Sequence, residues 1–128
     1  KFCLQEDWQG RLCVSEAELC RAVENLLDNG VRHTPKGGQL TLGLRREEKH
    51  LVFWVEDGGP GFTPEALVRA GEFLYTEASR TDPSHQGLGL YFARQVAQAH
   101  GGRLVLRNTP SGACAELWLT AEDMPKEA

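Results

Sequence analysis

The chain has 128 residues, of which 41% are hydrophobic and 25% charged, as in an ordinary soluble globular domain. This composition excludes a largely disordered chain, and the net charge of −4 with scattered Lys and Arg residues argues against a nucleic-acid partner. No apolar run approaches the roughly 18 residues that span a bilayer, so we expect this region to lie outside the membrane.

The N-terminal pattern predicts a short hairpin followed by a long helix. Residues 1–9 and 11–14 have the composition of two strands. Ser15 and Glu18 then form a capping box, and apolar residues follow at helical spacing. We therefore predict an amphipathic helix that runs to about His33.

Two strands are predicted next, and the second ends in an acidic residue. Leucines alternate with other residues over 40–44, which indicates a half-buried strand. The charged residues 45–50 are predicted to form the turn. The apolar run 51–55 predicts a second strand, which leads to Asp57 and a glycine-rich loop.

The second half of the chain predicts two helices and a last pair of strands. Thr63 with Pro64 starts a short helix to about residue 72, and residues 74–86, which have no sustained period, are expected to form a mobile loop. A second long helix is predicted over 88–100. The chain then predicts two strands, 103–108 and 113–119, joined by a turn at Pro110, Ser111 and Gly112.

Helices that alternate with antiparallel strand pairs predict an α+β fold. We expect a two-layer α/β sandwich with a mixed, mostly antiparallel sheet packed against about three helices. Residues 1–128 are expected to form one domain with its core over 13–119. Because the chain begins at Lys1 and its only methionine is Met124, we interpret it as a fragment of a longer protein.

Three polar residues share one face of the first long helix. Asn25 and Asn29 are one helical turn apart, and Arg32 follows close to the same line. An amide oxygen suits Mg²⁺, and a guanidinium suits phosphate oxygens. The alternative is that these are simply solvated polar positions.

Asp57 stands at the end of a strongly apolar strand. A carboxylate in such a place is costly unless a donor satisfies it, and the exocyclic amine of a base is one such donor. Gly59 and Gly61 would allow a flat ring or its phosphates to approach the backbone. The alternative is an ordinary surface turn.

A second glycine-containing segment precedes the second long helix. Its residues are Gln86, Gly87, Leu88, Gly89 and Leu90. Free backbone N–H groups and the positive end of the helix dipole favour an anion such as phosphate there, although a flexible helix entry is the alternative. The Walker GxxxxGK[ST] loop and an early GxGxxG motif are both absent from the sequence.

The order of these segments resembles that of histidine kinase catalytic domains. Residues 25–34, 57–61 and 87–90 are similar to the N, G1 and G2 boxes of that family, and the resemblance extends over about 13–119. It implies the Bergerat-type (GHKL) α/β sandwich shared with DNA gyrase and heat-shock chaperone ATPases, with ATP and Mg²⁺ as ligands.

The resemblance also implies a role for each matching residue. Asn29 would coordinate Mg²⁺, Asn25 and Arg32 would meet the phosphates, His33 would lie along the nucleotide, and Asp57 would accept a hydrogen bond from the adenine amino group. The implied ATP-binding residues are Asn25, Asn29, Arg32, His33, Asp57, Gly59, Gly61, Gln86, Gly87, Leu88, Gly89 and Leu90.

Asn25 indicates which reaction the resemblance implies. Gyrase-like hydrolases have a glutamate there, whereas an amide cannot act as a general base. We therefore expect phosphoryl transfer assisted by positioning, with no catalytic acid or base in this chain. The implied acceptor is a histidine in upstream dimerisation helices of the same homodimeric protein, and a response regulator is the implied next partner. The implied location is a cytoplasmic domain of an inner-membrane-anchored sensor kinase.

The sequence departs from the family pattern before the third box. Ser84, His85 and Gln86 replace the usual Gly-Gly-Thr, and the aromatic box is degenerate. Two alternatives remain open on sequence alone. One is an anti-sigma-type serine kinase of the same fold, and the other is a degenerate module that serves only as a docking surface.

Overall fold

The computed structural model describes residues 2–7, 14–69, 71–72 and 88–121, and it describes residues 2–7 by their backbone pairing. From residue 40 onward, strands and helices follow one another in pairs in this part of the chain. In chain order they are β1 (Phe2–Asp7), α1 (Glu16–His33), β2 (Leu40–Glu47), β3 (His50–Asp57), α2 (Pro64–Arg69), α3 (Gly89–Ala99), β4 (Arg103–Thr109) and β5 (Gly112–Thr120).

In the described part of the chain, the strands form one five-stranded sheet in the order β1-β2-β3-β5-β4. β1 runs parallel to β2, and the other neighbours are antiparallel. β3 therefore occupies the middle of the sheet. Its last residue, Asp57, lies opposite Leu40 of β2 and Ala113 of β5.

Helices α1 and α3 pack side by side on one face of this sheet. Ala22, Ala93 and Ala97 are fully buried, and such small side chains let two helices approach closely. Alternate residues of β5, namely Ala115, Leu117 and Leu119, complete the core beneath the helices. The predicted two-layer α+β sandwich with a mostly antiparallel sheet is confirmed.

The predicted first helix is confirmed almost to the residue. Ser15 is its N-cap and accepts a hydrogen bond from the Glu18 backbone N–H at 3.3 Å. The helix ends at His33, where Thr34 donates its hydroxyl to the Gly30 carbonyl oxygen at 2.7 Å. Among the described residues, no helix combines the length and the apolar character that a membrane crossing requires.

Three boundaries differ from the sequence prediction. The first strand pairs in parallel with β2, and of the second predicted strand only Val14 is described, in a bend. β2 continues through Arg45 to Glu47, so the turn consists of Glu48 and Lys49 and not of residues 45–50. α2 ends at Arg69 because Gly71 adopts a φ of 93°, which no helix permits.

The charged residues of β2 belong to the strand because they have partners on the outer face of the sheet. Arg45 donates to Glu116 of β5 at 3.1 Å, and Arg107 of β4 donates to the same carboxylate at 3.1 Å. The Trp118 indole N–H also donates to Glu116, at 3.1 Å. Glu116 is therefore buried with three donors and connects three strands.

Candidate functional site

The last two turns of α1 lie over the end of β3. A Cβ atom added at Gly30 would lie 2.6 Å from Leu40 Cδ1 and 3.0 Å from Val55 Cγ1. A larger residue there would have to displace the Leu40 side chain, so glycine allows the helix to lie close to β2 and β3. Since Leu40 is the register partner of Asp57, this contact brings the turn that contains Asn29 to the end of the strand that contains Asp57.

Asn29 and Asp57 are two of the few polar residues that are buried in the described part of the chain. Their residue exposures are 5% and 4%, respectively. The Asp57 Oδ1 atom accepts a hydrogen bond from the Gly59 N–H at 2.9 Å. The backbone oxygen of Asn29 contacts His33 Nδ1 at 2.7 Å, which fixes the His33 ring against its own helix.

Two polar groups of this pair have no hydrogen-bond partner in the described part of the chain. They are the side-chain amide of Asn29 and the Oδ2 atom of Asp57. Buried polar groups in proteins are nearly always paired, because an unpaired one costs about 1–3 kcal/mol. Both groups are therefore available to a partner beyond the described residues, and a polar ligand would satisfy them.

The glycine-rich loop after β3 packs against the end of α1. A Cβ atom added at Gly59 would collide with the backbone oxygen of His33, so only glycine fits between loop and helix. Gly61 adopts a φ of 88°, in the left-handed region that favours glycine. The ring centroid of Phe62 lies 6.2 Å from that of His33, so His33 is held beside the loop.

The start of α3 lies beside Asn25. A Cβ atom added at Gly89 would lie 3.6 Å from both Cγ and Oδ1 of the half-buried Asn25, which is ordinary van der Waals contact. Leu88 is the N-cap and supplies no side-chain hydrogen bond to the first turn of α3. Among the described residues, no side chain caps the N-terminal end of α3, and the first N–H groups of a helix favour an anion.

Most of the residues predicted for the site lie in one region. α1 contributes Asn25, Asn29 and His33, the loop contributes Asp57, Gly59 and Gly61, and α3 begins with Leu88, Gly89 and Leu90. Arg32 lies on the last turn of α1 with an exposed side chain. Gln86, Gly87 and the predicted mobile loop 74–86 lie outside the described residues.

Two residues beside the site were missed from the sequence. Asn108 Oδ1 accepts a hydrogen bond from the Phe62 N–H at 2.6 Å, and Asn108 Nδ2 donates to the Phe62 carbonyl oxygen at 3.0 Å. A Cβ atom added at Gly112 would collide with the Asp57 backbone oxygen. A polar side chain at a strand end and a glycine after a turn were signals in the sequence, but neither points to a partner about fifty residues away.

The sequence and the fold are both similar to those of known proteins. The sequence model of the family described as "Histidine kinase-, DNA gyrase B-, and HSP90-like ATPase" matches residues 14–123. The chain is 38% identical over 95 residues to the sensor histidine kinase SpaK of Bacillus subtilis, covering 73% of this chain and 21% of that protein. It is 36% identical over 131 residues to the sensor protein SphS of Synechococcus elongatus, covering 93% of this chain and 30% of that protein.

A solved structure with a closely similar fold is that of the mycobacterial sensor histidine kinase MprB. The TM-score is 0.81 at 26% sequence identity, and the alignment covers 97% of this chain and 83% of that one. The chain spans less than a third of the length of SpaK and SphS, at 21% and 30%. The similarities therefore concern one part of SpaK and SphS, both of which are much longer than this chain.

Proposed function

The chain belongs to the family of histidine kinase-, DNA gyrase B- and HSP90-like ATPases, and from this premise we propose that it binds Mg-ATP and donates the γ-phosphoryl group to a histidine of a separate dimerisation domain. That domain would precede the chain in the same polypeptide, and a response regulator would be the next acceptor. The similarity to SpaK, a sensor histidine kinase, and to SphS, a sensor protein, supports a kinase of this kind. We further propose that the chain is the cytoplasmic part of a membrane-anchored sensor.

The observation that carries the proposal is the pair of buried, unpartnered polar groups. The Asn29 amide and Asp57 Oδ2 meet no hydrogen-bond partner in the described part of the chain, although their residues are 5% and 4% exposed. A chain that serves only as a docking surface would gain nothing from that cost. A nucleotide with a donor at its base and a metal at its phosphates would satisfy both groups.

The base would be selected by Asp57. With Oδ1 engaged by the Gly59 N–H, Oδ2 is left to accept the hydrogen bond that an adenine amino group donates. A site built around one such bond rejects a base that lacks the donor. Gly59 and Gly61 allow the ring to approach the backbone at this point.

The phosphates would be bound between α1 and the start of α3. Asn29 offers a hard amide oxygen of the type that Mg²⁺ accepts, and when bound the ion would neutralise charge on the phosphate oxygens. Asn25 lies against the first turn of α3, where the first N–H groups favour an anion, and Arg32 is exposed on the last turn of α1, two turns after Asn25. His33, set beside the loop by Phe62, would lie along the nucleotide.

Transfer to an external acceptor is favoured over hydrolysis by the amide at position 25. Asn25 has no proton-accepting group that could activate a water molecule, so the residues would position the phosphates without general-base assistance. The similar proteins SpaK and MprB are sensor histidine kinases, which supports the same conclusion. No observation favours the anti-sigma-type serine kinase or the docking module over this function.

Calorimetry with a non-hydrolysable ATP analogue tests the binding half of the proposal. The 128-residue chain should bind the analogue in Mg²⁺ and bind it more weakly in EDTA. Asn29→Ala should remove most of the Mg²⁺-dependent gain, whereas Gln98→Ala, which shortens an exposed amide at the far end of α3, should not. Absence of binding by the unsubstituted chain in Mg²⁺ would refute the proposal.

The transfer half is tested in the intact parent protein. Incubation with ATP labelled at the γ-phosphate should give an acid-labile label on a histidine outside residues 1–128. A label that appears only as free phosphate would mean hydrolysis, and it would contradict the role given to Asn25.

A further inference from the structure

The side chain of Asn108, at the end of β4, clamps the glycine-rich loop. Its amide makes both hydrogen bonds that the Phe62 backbone can offer, at 2.6 Å from the N–H and at 3.0 Å to the carbonyl oxygen. The loop reaches this clamp through Gly61, whose φ is 88°, and a Cβ there would lie 2.9 Å from Asn108 Oδ1. The loop is therefore held at the residue where it leaves the predicted base site.

The turn between β4 and β5 supports the same loop from its other end. The backbone of Gly112 packs directly on the Asp57 carbonyl oxygen, and a Cβ at Gly112 would lie 2.9 Å from the Gly59 nitrogen. Thr109 Oγ1 accepts the Gly112 N–H at 3.0 Å, and Ser111 donates its hydroxyl to Glu56 at 3.2 Å. The strand ends of β4 and β5 thus face the loop opposite α1.

We propose that Asn108 is a positioning residue for base recognition, acting through the loop on Asp57; this inference rests on the proposed function. Gly59 donates to Asp57 Oδ1, so the position of the loop backbone sets the direction of Oδ2. The clamp at Phe62 and the contact with His33 hold that backbone from two sides. Without the clamp, Oδ2 loses its fixed direction and the site discriminates bases less well.

The geometry separates this role from a general contribution to folding. Asn108 is exposed, so its replacement removes no core packing. Phe62 is 8% exposed and its side chain packs with Ala66 and Ala113, so the chain stays folded there when the clamp on the Phe62 backbone is absent. The side-chain amide of Asn108 has a donor and an acceptor side by side, and these meet the C=O and the N–H of the same residue, Phe62.

Binding of ATP and of inosine triphosphate, which lacks the amino donor, tests the inference by calorimetry of the full 128-residue chain. Asn108→Ala should raise the Kd for ATP up to about tenfold, the worth of the single hydrogen bond from the adenine amino group to Asp57, and leave that for inosine triphosphate nearly unchanged. Asn108→Asp keeps the acceptor for the Phe62 N–H and should fall between. Gln98→Ala is the control, and a thermal melt confirms that each variant is folded.

The outcomes distinguish this inference from the function on which it rests. If the unsubstituted chain binds no ATP, the proposed function fails. If the unsubstituted chain binds ATP selectively and Asn108→Ala leaves the ratio of the two Kd values unchanged, only the positioning role is refuted. An equal rise of both Kd values is one such outcome. A selective loss of ATP binding with an intact melt supports the role.

Discussion

Asp57 combines a cost to folding with an advantage for binding. The residue is 4% exposed, and within the described residues the one hydrogen bond of its carboxyl group comes from the Gly59 N–H. A buried charge with one neutral donor destabilises the folded chain. The same arrangement leaves the second oxygen available to the donor of a base. We infer that the buried carboxyl of Asp57 lowers the free energy of unfolding of the chain.

The substitution Asp57→Asn separates these two effects. The amide keeps an oxygen for the Gly59 N–H and removes the buried charge, so the free energy of unfolding should not fall. It turns an NH₂ group toward the amino group of adenine, so the Kd for ATP should rise by about 10- to 100-fold. Urea denaturation and calorimetry measure the two quantities on the same samples.

The control is Asp28→Asn, the same change at an exposed position of α1. It should alter neither the unfolding free energy nor the affinity for ATP by a measurable amount. If Asp57→Asn destabilised the chain and spared ATP binding, Asp57 would be a structural residue and the base site would lie elsewhere.

At the scale of elements, local signals predicted the helices well and the strand partners less well. Ser15 capped α1 as expected, because a cap depends on residues three positions apart. β1 was predicted to pair with residues 11–14, most of which lie outside the described residues, and its parallel pairing with β2 was not foreseen. Pairing of distant strands leaves no mark on local spacing. The charges of residues 45–47 suggested a turn, because Glu116, the partner of Arg45 on the sheet, is distant in sequence.

The candidate site was predictable where it depends on short motifs. Asn25, Asn29, Asp57 and Gly59 belong to segments whose residue types indicate a ligand before any partner is known. Asn108 could not be found in this way, because its role depends on a contact with Phe62, and such a contact exists only once the sheet has formed. Supporting residues are specified by the fold, whereas ligand-binding residues are specified by their chemistry.

The contact between α1 and the glycine-rich loop gives a prediction at this scale. In Gly59→Ala the new Cβ collides with the His33 backbone oxygen, which cannot rotate away, so the loop or the helix end must shift. We expect a loss of about 1–3 kcal/mol in unfolding free energy together with weaker ATP binding. Chemical denaturation and calorimetry are the measurements.

The adjacent glycine is the matched control. A Cβ at Gly58 would find its nearest neighbour, the Gln39 backbone oxygen, at an ordinary 3.7 Å. Gly58→Ala should therefore change stability by no more than about 0.5 kcal/mol. Equal effects of the two substitutions would mean that general loop stiffness, and not the contact with His33, is what the site requires.

The whole molecule has one sheet face covered by helices and one that depends on polar contacts. Ala115 and Leu117 point into the helix layer, and Glu116 between them points outward. The outer face buries Glu116 by means of Arg45, Arg107 and Trp118, donors that come from β2, β4 and β5 itself. β2 and β5 are the two neighbours of β3, which ends at Asp57, so the outer network stabilises the part of the sheet that positions the site.

Glu116 therefore predicts how the stability of the whole chain depends on pH. Burial alone would raise the pKa of this carboxyl, but the hydrogen bonds from Trp118, Arg107 and Arg45 outweigh it and hold the pKa below its ordinary 4.5. Because the folded pKa is the lower one, the contribution of Glu116 is complete above pH 4.5 and is lost as pH falls through the folded value.

Glu116→Gln should accordingly cost about 1–3 kcal/mol of unfolding free energy at pH 7, and the difference from the unsubstituted chain should shrink steadily below pH 4.5. The lower end of that range applies if solvent screens the guanidinium of Arg107, which is 50% exposed. Urea denaturation from pH 7 into the acidic range measures both the cost at pH 7 and its decrease at low pH.

Glu65→Gln, which breaks an exposed pair with Arg69, is the control and should change stability by less than about 0.5 kcal/mol. A constant difference between Glu116→Gln and the unsubstituted chain at all pH values would mean that packing at this position, and not ionisation of the carboxyl, connects the three strands.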